Sequence, residues 1–389
     1  MAPTCPEAEL LLACARTQLD PARAAWIRAA AREPLDWVAL LRMAQQHRLT
    51  LLLYWHLHTV CPEAAPTAAM DQLRDHFHAH TRRNLFLTGE LLSLLTLFKA
   101  HQIAAIPFKG PALAAGVYGN LALRQFDDLD LLIHPQDVQK ARDLLVSQGY
   151  QPQFHLTDEQ EAAFLEFRCA RVFTRNGVIL DLHWALMPKG FSFSPATDCA
   201  WTGLEPRVLT GTTVPHLGQE DLLLLLCMHG AKHEWTRLEW ICDVAELIRA
   251  HPAMNWRRLI EQADALRSTR MLFLGLFLAR DLLAAALPED VWQRVTADPQ
   301  VRSLAVQVRA MLFREANDRT WPFGRHTIYL SAMERLRDRG RFWFDLMMTP
   351  TTIEWALLPL PPMFFPLYYA LRPIRLIGKY GQRLWKRPA

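Results

Sequence analysis

The chain has 389 residues, 51% of them hydrophobic and 21% charged, with a formal net charge of +4. That length suggests two or three domains, the apolar content suffices for ordinary globular cores, and so small a positive excess gives no strong nucleic-acid signal. The seven cysteines (Cys5, Cys14, Cys61, Cys169, Cys199, Cys227 and Cys242) are scattered, odd in number and without a C-x-x-C pair, which favours a reduced, cytoplasmic chain over a disulfide framework or zinc ribbon. The N-terminus, MAPTCPEAELLLACARTQLD, is acidic where a signal peptide is basic, and no export signal is read there.

Residues 1–100 read as helices. DWVALLRMAQQHRLTLLLYWHL places Trp37, Leu40, Leu41, Ala44 and Leu49 at helical spacing, and Asp71 to Ala100 forms a long helical stretch with Leu85, Leu92 and Leu95 on an apolar stripe. The pattern changes after His101. IAAIPFKG is a short buried strand ending at Gly110, and Pro111 stands where a first helical turn tolerates proline. A turn near Gly119 and Asn120 leads into DDLDLLI, a second strand, and a helix bounded by Pro135 and Gly149 follows. RVFTRNGVILDLHWAL carries two β-rich runs around Asn176-Gly177, a strong hairpin signal, with Ile179, Asp181 and His183 on one face. A second strand pair around Gly211 is expected to extend the sheet. From Glu220 the chain is helical again.

These readings divide the chain into an N-terminal helical region (1–100), a core with a mixed sheet (101–218), a C-terminal helical domain (219–350) and an apolar, basic tail (351–389), a mixed α+β organisation. WALLPLPPMFFPLYYAL, from Trp355 to Leu371, is uncharged but slightly short for a membrane span and broken by four prolines. The six cations after it suit a peripheral membrane contact; packing as a hydrophobic arm on the helical domain is the slightly favoured alternative.

Asp128 and Asp130 are two apart on a strand and therefore share a face. Carboxylates that close repel unless a cation sits between them, and a hard ion such as Mg²⁺ takes carboxylate oxygens while keeping room for water and phosphates. Asp127 points the other way, toward backbone or Arg124. If the later strand neighbours the first, Asp181 converges with Asp128 and Asp130, and three carboxylates suit a pair of metal ions for phosphoryl chemistry. Upstream, Gly110 precedes a helix whose N-terminus offers N–H groups to an anion, and Lys109 and Arg124 add positive charge.

Strand, glycine turn, helix, D-x-D on a second strand and a lone Asp on a later strand resemble the polymerase-beta-type nucleotidyltransferase superfamily. The wording is closer still to a bacterial branch labelled nucleotidyltransferase family protein. That branch shows Lys-Gly after a strand, a Tyr, an Arg before Asp-x-Asp-Leu-Leu, and a downstream Asp/Glu-Leu-His-Trp. Here these are Lys109-Gly110, Tyr118, Arg124, Asp128-Leu129-Asp130 and Asp181-Leu182-His183-Trp184. HGAKHEWTRLEWICDVAEL is similar to the branch's helical segment, and the resemblance covers roughly residues 35 to 250. One departure is Pro111, where superfamily members usually have a second glycine or a serine at the phosphate turn.

The resemblance implies an enzyme that moves a nucleoside monophosphate from an NTP to an acceptor, with pyrophosphate leaving. Asp128, Asp130 and Asp181 would bind Mg²⁺ or Mn²⁺, and Asp181 would help activate the acceptor. Lys109, the Gly110 amide and Arg124 would hold phosphates. His183, on the Asp181 face, is either a phosphate contact or a structural histidine. His229 and His233 share a helix face with Arg237 and Trp240 and lack the Glu of H-E-x-x-H, so lining the nucleotide or acceptor cleft, with Lys232 nearby, suits them better than zinc. Arg82 and Arg83 read as a solvated helix face. The acceptor stays open among a modified peptide or protein, a small molecule and RNA, the last a toxin-like reading. A non-catalytic nucleotide-binding scaffold is the alternative from another class.

Overall fold

A computed structural model describes residues 5–187, 201–313, 327–358, 360–361 and 364–385. Five helices open the chain: α1 (Pro6–Cys14), α2 (Pro21–Ala30), α3 (Trp37–Gln46), α4 (Thr50–Val60) and α5 (Thr67–Ala100). Asp20 and Asp36 cap α2 and α3, accepting from the N–H groups of Arg23 and Ala39 at 2.7 and 2.9 Å. The helical spacing expected through Leu49 breaks between α3 and α4, where Arg48 takes a left-handed φ of 57°. Along α5 the buried stripe is Leu87, Leu91, Leu94 and Phe98, while Leu85, expected on that stripe, is exposed. The helix is rotated from the sequence reading because Asn84 turns inward, donating to the Leu121 and Arg124 carbonyls at 2.6 and 2.9 Å.

The central unit runs β1 (Ala105–Pro107), α6 (Gly110–Val117), β2 (Asp128–Ile133), a single 3₁₀ turn, α7 (Val138–Ser147), β3 (Gln151–Pro152), α8 (Asp158–Phe167), β4 (Ala170–Arg175) and β5 (Val178–His183). These strands form one mixed sheet in the order β1-β2-β5-β4-β3. Only the β2–β5 pair is parallel. Asn176 and Gly177 both have positive φ, as a two-residue hairpin turn between β4 and β5 requires. Leu129, Leu131, Leu180 and Leu182 are fully buried in a cluster with Leu87, Leu91 and Leu94 of α5, so one sheet face is closed by that helix. Strand alternation then sends Asp128, Asp130, Asp181 and His183 to the other face.

The expected extension by the next strand pair does not occur. β6 (Glu205–Leu209) and β7 (Thr212–His216) form their own two-stranded sheet, and β7 packs beside β1 without pairing to it. The remaining elements among the described residues are helices: α9 (Gln219–Lys232), α10 (Leu238–Ala250), α11 (Trp256–Ala265), α12 (Thr269–Leu283), α13 (Glu289–Ala297), α14 (Pro299–Leu312), α15 (Thr327–Ala332), α16 (Leu336–Met348), α17 (Thr352–Leu357) and α18 (Leu367–Trp385). Leu10, Leu40, Leu53 and Leu73 share one hydrophobic cluster with Leu226, Leu247 and Leu276, so helices from both ends of the chain pack together around the sheet unit. His47 fastens this contact: its ring bonds the Leu312 carbonyl at 3.0 Å and accepts from the Leu238 N–H at 3.2 Å. The protein is therefore mixed α+β, mostly helical, with a mixed five-stranded sheet.

Candidate active site

β2 and β5 run side by side in parallel, with Asp130 directly opposite Asp181 and Asp128 opposite Ile179. Asp128 and Asp130 thus share a face with Asp181, beside a cavity of about 890 Å³ that all three line. Burial, and then the charge of Asp130, raise the Asp128 carboxyl above its ordinary value. The same two causes push Asp181 up to about 6. Burial works the same way on Asp130, but Lys109 and His183 outweigh it and hold that carboxyl at about 2. The Lys109 ammonium lies 3.6 Å and His183 Nε2 3.3 Å from Asp130 Oδ1.

Ligand atoms of Asp130, Asp181 and His183 all lie within 4.8 Å of one another. Two carboxylates raised by burial and by the charge of Asp130, with an imidazole beside them, are a donor set that a divalent cation satisfies. Phe108 packs edge-on against the His183 ring at 5.1 Å and fixes its plane. Burial lowers the basicity of His183, but its contacts with Asp130 and Cys169 win and raise it to about 9. In return His183 outweighs burial at the Cys169 thiol and lowers it.

The turn before α6 brings Lys109 to this cluster. Gly110 has φ +52°, and a Cβ there would stand 3.2 Å from the Asp128 carbonyl oxygen. Both facts call for glycine: the left-handed backbone and the close approach to β2. Pro111 removes one amide from the helix start, and the Ala112 N–H turns back to the Lys109 carbonyl at 3.2 Å. The Lys109 side chain is therefore the stronger anion-directed group of this turn, and its ammonium also lies 3.3 Å from His229 Nδ1.

The opposite wall comes from the end of α9 and the start of α10. His229, Lys232, His233, Arg237 and Trp240 all line the cavity. The His229 and His233 rings lie 4.5 Å apart, Trp240 lies 5.6 and 5.2 Å from them, and the Arg237 guanidinium sits over its indole at 5.5 Å. Burial and the neighbouring cations Lys232 and Lys109 depress His233 to about 4. His229 is driven well below its usual range by burial and by Lys109. Burial also lowers Lys232, which Lys109 disfavours further. One wall thus concentrates carboxylates, and the other sets the cations Lys232 and Arg237 beside two histidines held neutral by burial and neighbouring charge, an arrangement suited to an anion.

Arg124 lines the same cavity, yet its guanidinium forks onto Asp243 of α10 at 2.7 and 2.8 Å, and Glu239 lies 3.9 Å away. The Tyr118 hydroxyl donates to Asp243 at 2.7 Å. Tyr118 and Arg124, two residues of the motif, therefore meet on one buried carboxylate. Asp127 pairs with Arg48 rather than Arg124. Arg83 donates to the Gly177 carbonyl at the hairpin turn, and Arg82 is exposed. Arg48, Cys169 and Glu239 also line the cavity and escaped the sequence reading. Of these, Cys169 had a usable signal, since it directly precedes the strand that pairs with Asp181 and His183.

Residues 33–284 match the family described as uncharacterised nucleotidyltransferase, well over half of the chain, and the protein belongs to that family. No curated protein matches it. Among solved structures, it is similar to the antibiotic-resistance factor ANT(2'')-Ia at 14% identity, over 48% of this chain and 93% of that one, with a TM-score of 0.33. It is also similar to an antigenic nucleotidyltransferase-like protein from Paracoccidioides brasiliensis at 17% identity, over 53% of this chain and 96% of that one, with a TM-score of 0.36.

Proposed function

We propose that the protein transfers a nucleoside monophosphate from an NTP to an acceptor hydroxyl and releases pyrophosphate. The observation that carries this reading is the pairing of Asp128 and Asp130 on β2 with Asp181 on the adjacent parallel strand, facing a cavity whose other wall is cationic. Asp128, Asp130 and Asp181 would hold Mg²⁺ or Mn²⁺, with His183 close enough to join them. When bound, such ions supply Lewis-acid stabilisation of charge on phosphoryl oxygens.

This chain's own groups do the rest. Lys109 and the Gly110 amide meet the phosphates from one side, and Lys232 and His233 meet them from the other. Trp240, held between two imidazoles and a guanidinium, gives the nucleobase a flat face. Asp181, raised to about 6, accepts the proton of the attacking hydroxyl. Arg124 is a positioning residue: fixed on Asp243, it anchors the segment before β2 to α10, and so sets the spacing between the carboxylate wall and the cationic wall. In this reading residues 101–218 carry the metal site and residues 219–350 close it.

The test is incubation with each α-labelled NTP, Mg²⁺ or Mn²⁺, and lysate of the source cell, followed by mass spectrometry of labelled species and an assay for pyrophosphate. Labelling that disappears in Asp128→Ala supports transfer and names base and acceptor together. Nucleotide binding with no pyrophosphate from any mixture would assign the fold to a binding scaffold, and Asp128→Ala labelling at the wild-type rate would remove the carboxylates from the reaction.

A further inference from the structure

More than half of the large hydrophobic side chains that are exposed among the described residues lie between Leu336 and Ile377, in α16, α17, α18 and the link between the last two. Phe344, Leu357, Ile374 and Ile377 are 64, 67, 65 and 71% exposed. On α18, Leu367, Ile374 and Ile377 fall on one helical stripe, which a soluble helix turns to its core. Here the reverse side is buried. Arg372 is 8% exposed and donates to the Leu346 carbonyl at 3.0 Å, and both Arg372 and Arg375 pair with Glu354 of α17. Tyr368 reinforces that inner side, donating to the Leu358 carbonyl at 2.7 Å. The helix is anchored through its arginines and presents its isoleucines outward.

We propose that this face docks on an anionic lipid surface. The same segment exposes Arg335, Arg337 and Arg341 at the α16 start, and beyond the inward-paired Arg372 and Arg375 the sequence adds four more cations, Lys379, Arg383, Lys386 and Arg387, and no acid. Half-exposed Trp343 and Tyr369 belong to the residue types that settle at a headgroup boundary. Among the described residues no helix is long and apolar enough to cross a membrane, so the contact lies in the interface. A second copy is the poorer occupant, since a two-fold contact would bring this positively charged segment against itself. An anionic bilayer satisfies both the apolar face and the charge around it.

The full chain should sediment with phosphatidylcholine vesicles that contain phosphatidylserine and remain in solution with phosphatidylcholine alone, and raised salt should weaken the binding. The double substitution Ile374→Glu and Ile377→Glu should weaken it by about tenfold or more. Phe344→Glu, on a separate helix, should weaken it as well, whereas Leu85→Glu, at an exposed apolar site elsewhere, should leave it unchanged. Thermal melts of each variant check that the fold is kept. Equal sedimentation with both vesicles, or none with either, overturns the proposal. So does a lipid-free dimer that the isoleucine substitutions dissociate while vesicle binding is absent.

Discussion

Two regions of this protein reverse the usual placement of polar and apolar groups. At the cavity, Asp128, Asp130, Asp181 and Lys109 are withdrawn from water with leucines packed behind them. At the C-terminal helices, arginines are withdrawn and isoleucines face outward. The first arrangement leaves carboxylates crowded and raised, which a cation relieves. The second compensates its buried charge, because Glu354 meets Arg372 and Arg375; what stays unsatisfied there is apolar area with cations around it. The cavity therefore calls for an ion and a polar ligand, and the outer face for something greasy. Electrostatic frustration and apolar exposure are separable signs of what each region binds.

The largest effect should come from separating the two carboxylates that face each other across β2 and β5. Asp130→Asn and Asp181→Asn should each lower transfer by about 10³-fold or more, several kcal/mol of transition-state stabilisation. Their effects on the metal-free fold should differ in sign. Asp130 is the carboxylate that Lys109 and His183 favour, so its loss should lower the melting temperature. Asp181 is held in its charged form against its surroundings at neutral pH, so its loss should raise it. Labelled-nucleotide transfer and thermal unfolding without added metal check both halves. Melting shifts of the same sign would mean that the cavity is not strained in the way its carboxylates suggest.

Next in size is the buried fork between Arg124 and Asp243. Asp243→Asn leaves the guanidinium buried beside Glu239 with its main partner gone, and removes the acceptor of the Tyr118 hydroxyl as a charge. Breaking one side of a buried pair costs about 3–5 kcal/mol. Denaturant unfolding should show that loss, together with weaker nucleotide binding as the cationic wall shifts. A loss below about 1 kcal/mol would place the pair with exposed ion pairs and remove its positioning role.

Much of the carboxylate wall was legible before any coordinates. Alternation puts Asp128 and Asp130 on one face, and the Asn176-Gly177 turn fixes the hairpin that delivers Asp181 and His183. Counting outward from that turn pairs Arg175 with Val178 and Ala170 with His183, which leaves Cys169 one position further. That step places the thiol at the site, whereas cysteine spacing by itself speaks only to disulfides and metal motifs. Arg48 had no such handle. It reaches the cavity because two helices break at a left-handed residue, and nothing in their apolar spacing marks the break. Arg124 shows the opposite difficulty: an arginine before D-x-D suggests phosphate, but its partner Asp243 lies on a helix more than a hundred residues later, and only the packing of α10 on the sheet unit brings them together. The rotation of α5 had a similar origin, in an asparagine that satisfies distant carbonyls.

On the outer-face side of the comparison, pH offers a smaller but selective lever. Burial alone would raise the Glu354 carboxyl, but the Thr351 hydroxyl and N–H, with Arg375 and Arg372, bring it from the ordinary 4.5 to about 2. A depressed carboxylate contributes stability that is fully present above its unfolded value and is lost as pH falls through the folded one. The attachment of α17 to α18 should therefore hold above about pH 4.5 and loosen toward pH 2. Hydrogen exchange of amides in Thr352–Leu357 and Leu367–Trp385 reads this locally. Glu354→Gln should show the loosened pattern at neutral pH. Unchanged protection in that variant would mean that the arginines are not what orients the helix.

The smallest expected effect belongs to the first aspartate of the D-D-x-D run, which serves as an internal control. Asp127 stands next to Asp128 in sequence, but alternation sends it away from the metal face, and its partner Arg48 keeps a quarter of its side chain in solvent while Asp127 keeps 40%. Both charges remain largely hydrated when separated, and salt screens what attraction remains. Asp127→Asn should cost under about 1 kcal/mol in denaturant unfolding, less still at high salt. Transfer should fall by no more than a few-fold, through looser placement of Arg48 at the cavity rim. A loss comparable to that of Asp130→Asn would mean that the charge of Asp127, one residue from Asp128, acts on the reaction itself, and the division of the run into a metal face and a supporting face would have to be redrawn.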